Sequence, residues 1–469
     1  MSRTYFDGGG TNYTKLLSEY SANLKYDKIP AEVIERAKLM TLHTLGVSLA
    51  AAPVELSGSA VRVGLAMNGG PGGAATSWLG GHKMSAANAA FVNGTLADML
   101  DWEDCSWFGH PSAGTFPAAL ALAEELKKDG RSYLEAVVAA LEIYMRVGLA
   151  TQPAPDFNHN KGWGLTSWQI YASAAAAAKI MGFDAARTNQ AYGMAALFCT
   201  ISSNLTQGTM SNSYHYEHGM PAMAGVLGAY CVREGLDNLE GAFDSPYAFI
   251  EKMTDAPQRE LLDKDLDKFL MMRILIKHWP ANMWVQTPTE IILDLLARHK
   301  FKPEEVAEII VDPPTQFRMH YYPEGFSSLM EAQFSMPYVM AAAMLDPSPG
   351  PNWYTREKMS DPRLLALAAK IKPGSSPEHT LKGSFDLFIA GDYPEKTVTV
   401  TMKDGSRYVG LLDRHKGHPD NMLSAAEFQD LFRHNARVLL KADRAERIID
   451  YVMNIEKQSD LSGFGELLK

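Results

Sequence analysis

Apolar positions recur at three- and four-residue spacing through most of the first 270 residues, which is the spacing of one helix face. Pro30-Ala31-Glu32 opens one such helix, with proline and an acid in its first turn, and Ala37, Leu39, Leu42 and Leu45 continue it. An Ala-rich run carrying Phe91, Val92, Leu96 and Leu100 predicts another, reaching Asp101 and the polar residues after it. Further helices are expected from near Thr115, over about 133–149 and over 185–206. The run Ala172 to Ala178, with few polar interruptions, predicts a helix buried in a bundle. Glycines 69, 70, 72 and 73 around Pro71 read as a loop, as do residues 152–161. Residues 78–84 read as a short extended piece, and 1–11 as a lead-in without structure.

The periodicity changes near Phe269. A short apolar run ends at Lys277, and a helix is expected over about 287–299. Val306 to Val311 is β-branched and stops at Pro313-Pro314. Another helix is expected over 328–344. Residues 396–402 and 407–412 alternate around Asp404-Gly405, a strong hairpin signal. Helical spacing returns over 424–441 and 443–455. The predicted fold class is therefore mainly α: a large all-α domain, 1–270 with 413–469, and a smaller inserted α+β lid domain, 271–412.

Composition narrows the class. Of 469 residues, 46% are hydrophobic and 21% charged, as in an ordinary soluble globular protein. The net charge of −10 argues against nucleic acid or an anionic membrane as partner, so an anionic substrate needs a local cationic cluster. No apolar run reads as a bilayer span or a signal core. Three scattered cysteines form neither a disulfide framework nor a zinc module, and a reducing cytoplasm fits them. No Gly-rich phosphate loop or metal-ligand cluster appears, so no metal and no cofactor are expected.

Candidate chemistry concentrates at 101–112. On a continued helix, Asp101, Asp104 and Cys105 share one face. A carboxylate pair at a helix end, facing His110 on the next loop, is one way to place a general base and a general acid. The plainer alternative is a solvated acidic helix end, with His110 capping the turn.

The same stretch carries a resemblance. Asn93-Gly94, Leu96-Ala97-Asp98, Leu100-Asp101 and Asp104, followed by His110-Pro111-Ser112-Ala113-Gly114 and an Ala-rich helix, resemble the signature of the MmgE/PrpD family. That family contains dehydratases, decarboxylases and epimerases of small carboxylic acids. The resemblance covers nearly the whole chain, with departures. Cys105 stands where the decarboxylase branch has Thr. Gly162-Trp163-Gly164 lacks the family's second His, with His159 just upstream. Ser213 to Gly219 lacks the family's Lys; Tyr214 or His215 falls near its place, and His218 near the family His. Lys277 matches, whereas Asn282 replaces a His of the decarboxylase branch. Glu331 to Tyr338 matches the family's EAxFSxPY run, and Gly417-His418-Pro419-Asp420-Asn421 resembles its GHPxNP turn.

The resemblance implies removal of a weakly acidic proton beside a carboxylate, by a base poised near neutrality and with cations to hold the enolate. Asp101 is the expected base, its pKa raised by Asp104 and burial. His110 is the expected acid, and Lys277 and Arg273 the carboxylate clamps. Tyr214 and His215 join the candidate catalytic set. Asn282, His218, Trp163 and Tyr338 are candidate substrate contacts. His215 and His218 have no companion at metal-ligand spacing. The first expectation is a lyase acting on a small carboxylic acid, by dehydration or decarboxylation. The alternatives are an epimerase or isomerase using the same carbanion, and a non-catalytic binding protein. The resemblance also implies a homodimer.

Overall fold

The computed structural model describes residues 12–106, 109–151, 167–199, 208–237, 239–245, 249–254, 257–378, 380, 383, 387 and 394–468. It is mainly α. The first part comprises α1 (Tyr13–Asn23), α2 (Ala31–Ala50), α3 (Glu55–Met67), the short paired strands β1 (Ala75–Thr76) and β2 (Lys83–Met84), α4 (Ala86–Asp98), β3 (Asp104–Cys105), α5 (Pro111–Glu125), α6 (Gly130–Thr151), α7 (Gln169–Met181), α8 (Ala185–Phe198) and α9 (Gly219–Arg233). Residues 1–11, 152–166 and 200–207, which include three segments read above as lead-in, loop and helix continuation, lie outside the described residues.

Small side chains decide how these helices pack. The helices α4, α5, α7 and α9 touch one another closely, and their shared faces are largely alanine and glycine. The α4–α9 crossing is tightest at Gly219, where an added Cβ would lie 2.2 Å from Thr95 Oγ1 and 2.4 Å from the Phe91 carbonyl oxygen. That approach seats the start of α9 directly beside the end of α4. The central α2 is buried along almost its entire length. No single described helix is long and apolar enough to cross a membrane.

Past residue 270 the chain forms α10 (Met283–His299), α11 (Met336–Leu345) and a four-stranded sheet. Its strands are β5 (Val306–Asp312), β6 (Ile371–Pro373), β7 (Lys396–Met402) and β8 (Arg407–Leu412), in the order β6-β5-β7-β8. Only β6 is parallel to its neighbour, and it is the strand that alternation in the sequence did not reveal. The alternate residues of β7 are buried, and α10 lies against β7 and β8. Two further helices, α12 (Ala425–Ala436) and α13 (Ala442–Met453), both pack on α2.

Two local expectations are corrected. The 328–344 helix is broken: residues Leu329–Gln333 form one turn-like helix, and Ser335 caps α11 by accepting from the Tyr338 amide. A serine followed by Pro337 starts a new helix more readily than it continues an old one. The helix expected to carry Asp101, Asp104 and Cys105 on one face ends at Asp98. Asp101 adopts φ +49°, and Asp104–Cys105 form β3, which pairs antiparallel with β4 (Leu275–Ile276).

Gly219→Ala should destabilise the protein by about 1–3 kcal/mol, the range for overpacking a tight contact. Gly463→Ala, which faces open space, should leave the urea midpoint unchanged. Equal midpoints for both variants would contradict the packing described.

Candidate active site

The β3–β4 pairing aligns Asp104 with Ile276 and Cys105 with Leu275. Continued by one residue, that antiparallel register sets Glu103 opposite Lys277. A backbone pairing across 170 residues thus delivers the lysine to the acidic segment. The turn at Gly417 braces it: the Ile276 amide donates to the Gly417 carbonyl at 2.9 Å. Gly417 has φ +96°, and an added Cβ would lie 2.0 Å from the Ile276 carbonyl oxygen, so only glycine fits there.

Lys277 is fully buried, not a surface lysine at a strand end. Its Nζ lies 2.5 Å from Asp101 Oδ1 and 2.5 Å from Glu103 Oε1, and 3.3 Å from His110 Nδ1. His110 Nδ1 is in turn 2.5 Å from Glu103 Oε1, and its Nε2 is 3.2 Å from the Tyr214 hydroxyl. His110 is the N-cap residue of α5, but its side chain makes no cap bond; it turns into this cluster instead. The positive φ of Asp101 is a conformation that Asp tolerates better than most residues, and it aims the carboxylate at the lysine.

Burial and the neighbouring charges set the protonation. Burial raises Asp101 to about 6, with Lys277 opposing and Glu103 adding to the rise. Burial also raises Glu103, against Lys277. It lowers His110 to about 3, helped by Lys277 and His218. Burial by itself would discharge Lys277, but Asp101 and Glu103 outweigh it and keep it protonated. The Glu103–His110 contact therefore joins a carboxyl group, raised by burial, to a neutral imidazole.

A second layer stands behind the first. Asp98, at the end of α4, lies 3.3 Å from His218 Nδ1 and 3.6 Å from His215 Nδ1. Burial acts to raise Asp98, but these two imidazoles outweigh it and hold it low. Asp98 in turn overcomes the effect of burial on His218 and raises it. The His218 ring meets His110 edge to face at 5.2 Å between centroids. The second part of the chain locks this turn from above. Gln333 Nε2 donates to the Met99 carbonyl, and the Gln333 carbonyl accepts from the Asn282 amide.

Asp101, Lys277, His110, Tyr214, His218 and His215 are thus brought together. Other expected residues stand elsewhere. The Asp104 side chain accepts from the Ser112 amide and hydroxyl, capping α5, although burial lifts it to about 7. Arg273 is exposed, lining a small recess with Cys105, Leu275, Met283 and His418. Tyr338 is buried in the second part, its hydroxyl donating to the Trp353 carbonyl. Asn282 caps α10 and accepts from Arg318 Nε at 3.0 Å. Trp163, Gly164 and His159 lie outside the described residues.

Glu103, Asp98 and Arg318 had no role assigned from sequence. The two acids sit inside the quoted motif and could have been found there; Arg318 carried no signal. A cavity of about 790 Å³ lies nearby, between the α2–α3 turn and the second part of the chain, with Asn212, Leu329, Tyr354 and Arg356 in its walls. Asp98, Asp101, Glu103 and His110 offer ligand atoms within 4.8 Å of one another. They are the described residues that could hold a metal ion, but the ammonium of Lys277 already occupies the position between Asp101 and Glu103.

Comparison with known proteins matches the MmgE/PrpD N-terminal domain over residues 15–262 and the MmgE/PrpD C-terminal domain over 279–457. The chain belongs to the MmgE/PrpD family. Among its relatives, mouse cis-aconitate decarboxylase is 26% identical over 471 residues, covering 95% of this chain and 91% of the relative. The human enzyme is 27% identical over 473 residues, covering 95% and 92%. That of Aspergillus terreus is 24% identical over 486, covering 97% and 95%. Within this family member, the matched acidic segment and the matched lysine are the groups found in contact.

Asp101 has a folded pKa above its unfolded value of about 3.9. Its burial is therefore harmless at low pH, and stability is lost as the pH rises from there through about 6. Lys277→Met removes the opposing cation. The variant should lose about 3–5 kcal/mol at pH 7.5, the usual penalty for breaking a buried ion pair. It should lose less at pH 5, where protons replace the lysine. Urea unfolding at both pH values reads this directly, and an equal loss at both would contradict the cluster's charge assignment.

Proposed function

We propose that this MmgE/PrpD protein is a lyase that eliminates carbon dioxide or water from a small carboxylic acid, through a carbanion beside a carboxylate. The observation that carries the reading is the buried ammonium of Lys277 between Asp101 and Glu103, in contact with His110. Such a site has what a transient carbanion needs: a fixed cation, a carboxylate poised near neutrality and a neutral imidazole linked to a proton reservoir. The names of the decarboxylase relatives support the same class.

In dehydration, Asp101 takes the proton next to the substrate carboxylate, and the electron pair expels hydroxide from the adjoining carbon. His110, or Tyr214 bonded to its Nε2, protonates the departing oxygen. In decarboxylation, the carbon–carboxylate bond breaks, its electrons remain on carbon, and the same donor protonates that carbon. Glu103 restores the proton through Nδ1. Lys277 faces the developing negative charge in both cases. Because its two carboxylate contacts already hold it, its role is electrostatic more than that of a free clamp. Asp101 Oδ2, Glu103 Oε2 and the Nε2 atoms of His215 and His218 are buried without a protein hydrogen-bond partner. Unsatisfied capacity of this kind suits a polar ligand.

Asp101, Glu103 and Lys277 are fully buried and His110 nearly so, so entry requires the second part of the chain, held by Gln333 and Asn282, to open as a lid. The reading includes no metal or organic cofactor. It also includes a homodimer, to which the exposed Leu197 of α8 and Met220 and Leu227 of the neighbouring α9 offer apolar surface.

His110→Gln should lower turnover about a hundredfold or more with the fold intact. The wild-type kcat/KM should rise with pH through about 6, as Asp101 loses its proton. With cis-aconitate as first probe among small di- and tricarboxylates in heavy water, product should form with deuterium incorporated, and EDTA should not abolish it. Deuterium exchange with no loss of carbon dioxide or water would favour an epimerase. Activity lost to chelator and restored by a divalent ion would overturn the cofactor-free reading.

A further inference from the structure

Arg318 is a half-buried guanidinium that makes no ion pair with any carboxylate among the described residues. Its Nε donates to Asn282 Oδ1 at 3.0 Å, and its Nη1 reaches only the neighbouring Phe317 carbonyl at 3.4 Å. The group lies 4.5 Å over the Phe334 ring and 4.8 Å from that of Phe317. Phe334 meets Tyr214 edge to face at 5.2 Å, and Tyr214 bonds His110. The guanidinium is thus one aromatic layer from the reacting groups.

Asn282 is itself fixed. Its Oδ1 also accepts from the Trp284 amide at 3.4 Å, and its own amide is held by Gln333. Stacking and one hydrogen bond to the Asn282 amide oxygen orient the guanidinium plane, while Nη2 has no acceptor among the described residues. Burial lowers Arg318 to about 10, with Asp101 and Tyr214 opposing, so it stays charged at neutral pH. Leaving a cation partly desolvated and without an anion is costly. An oriented guanidinium fork matches a carboxylate or phosphate bidentately, and the anion that a carboxylic acid offers is a carboxylate.

We propose that Arg318, oriented by Asn282, is the specificity-determining contact for a second carboxylate of the substrate, distal to the carbon that reacts at the Lys277 cluster. With that contact, monocarboxylates are poor ligands. This takes over the role that sequence alone gave to Arg273. The assignment rests on the lyase reading for the position of the site, but its test does not require turnover.

Calorimetric binding of maleate and isocrotonate, cis four-carbon acids in which one carboxylate is exchanged for a methyl group, reads it. The wild type should bind maleate about tenfold or more tightly than isocrotonate, the scale of one charge-assisted contact. Arg318→Gln should abolish that preference by weakening maleate alone. Arg318→Lys, which keeps the charge and loses the fork, should weaken maleate several-fold, and it decides the matter if the Gln variant does not fold. His110→Gln should keep the preference while losing turnover. Equal binding of the two acids by the wild type, or unchanged maleate affinity in the Arg318 variants, overturns the proposal. An Arg318-dependent preference in a protein that turns over no carboxylic acid leaves Arg318 standing and removes the lyase reading.

Discussion

One ammonium group, Lys277, sits fully buried against two carboxylates and an imidazole. No member of that group is stable in the interior by itself: removal from water penalises every charge, and only the partners compensate. The cluster therefore holds together as a unit. The lysine opposes the rise that burial imposes on Asp101, and the acids keep the lysine charged. The proposed carbanion chemistry draws on that mutual dependence.

The scaffold can be read as the set of constraints that brings these charges together. Gly219 lets α9 approach α4 closely enough for His218 to meet Asp98. Gly417 lets the following turn sit under Ile276, one residue from the lysine. Gln333 and Asn282 tie the second part of the chain to the turn that carries Asp101. Each is a backbone or near-backbone contact, which explains how flexible side chains such as lysine are held to one geometry. The same ties join the second part of the chain to the turn that carries Asp101, so under the proposed function an opening of that part would also disturb the turn.

Charge is distributed unevenly over the site. The acids come from one short segment after α4, and the cations, Lys277 and Arg318, from the other part of the chain. Burial at the junction of the two parts excludes water, which strengthens each interaction. A chain with net charge −10 thus gathers two cations beside its buried acids, which is what the proposed anionic substrate calls for.

Local sequence was enough to determine most of the helices, because a 3.6-residue pattern and its caps are properties of contiguous residues. It also determined the β5, β7 and β8 strands and the Asp404-Gly405 hairpin, where alternation and a turn residue coincide. The family signature marked Asp101, His110 and Lys277. Tertiary structure decided the rest. Helical spacing extended α4 through Asp104, but pairing with β4 turned Asp104–Cys105 into a strand, and no local pattern records a partner 170 residues away. Asp104 belongs to a motif that reads as catalytic, yet the unpaired amide at the start of α5 claims its carboxylate. Lys277 reads from sequence as a carboxylate clamp, and Glu103 has no assigned role there. Only burial on both sides makes them a pair, since the energy that joins them arises from exclusion of water, which depends on the whole fold.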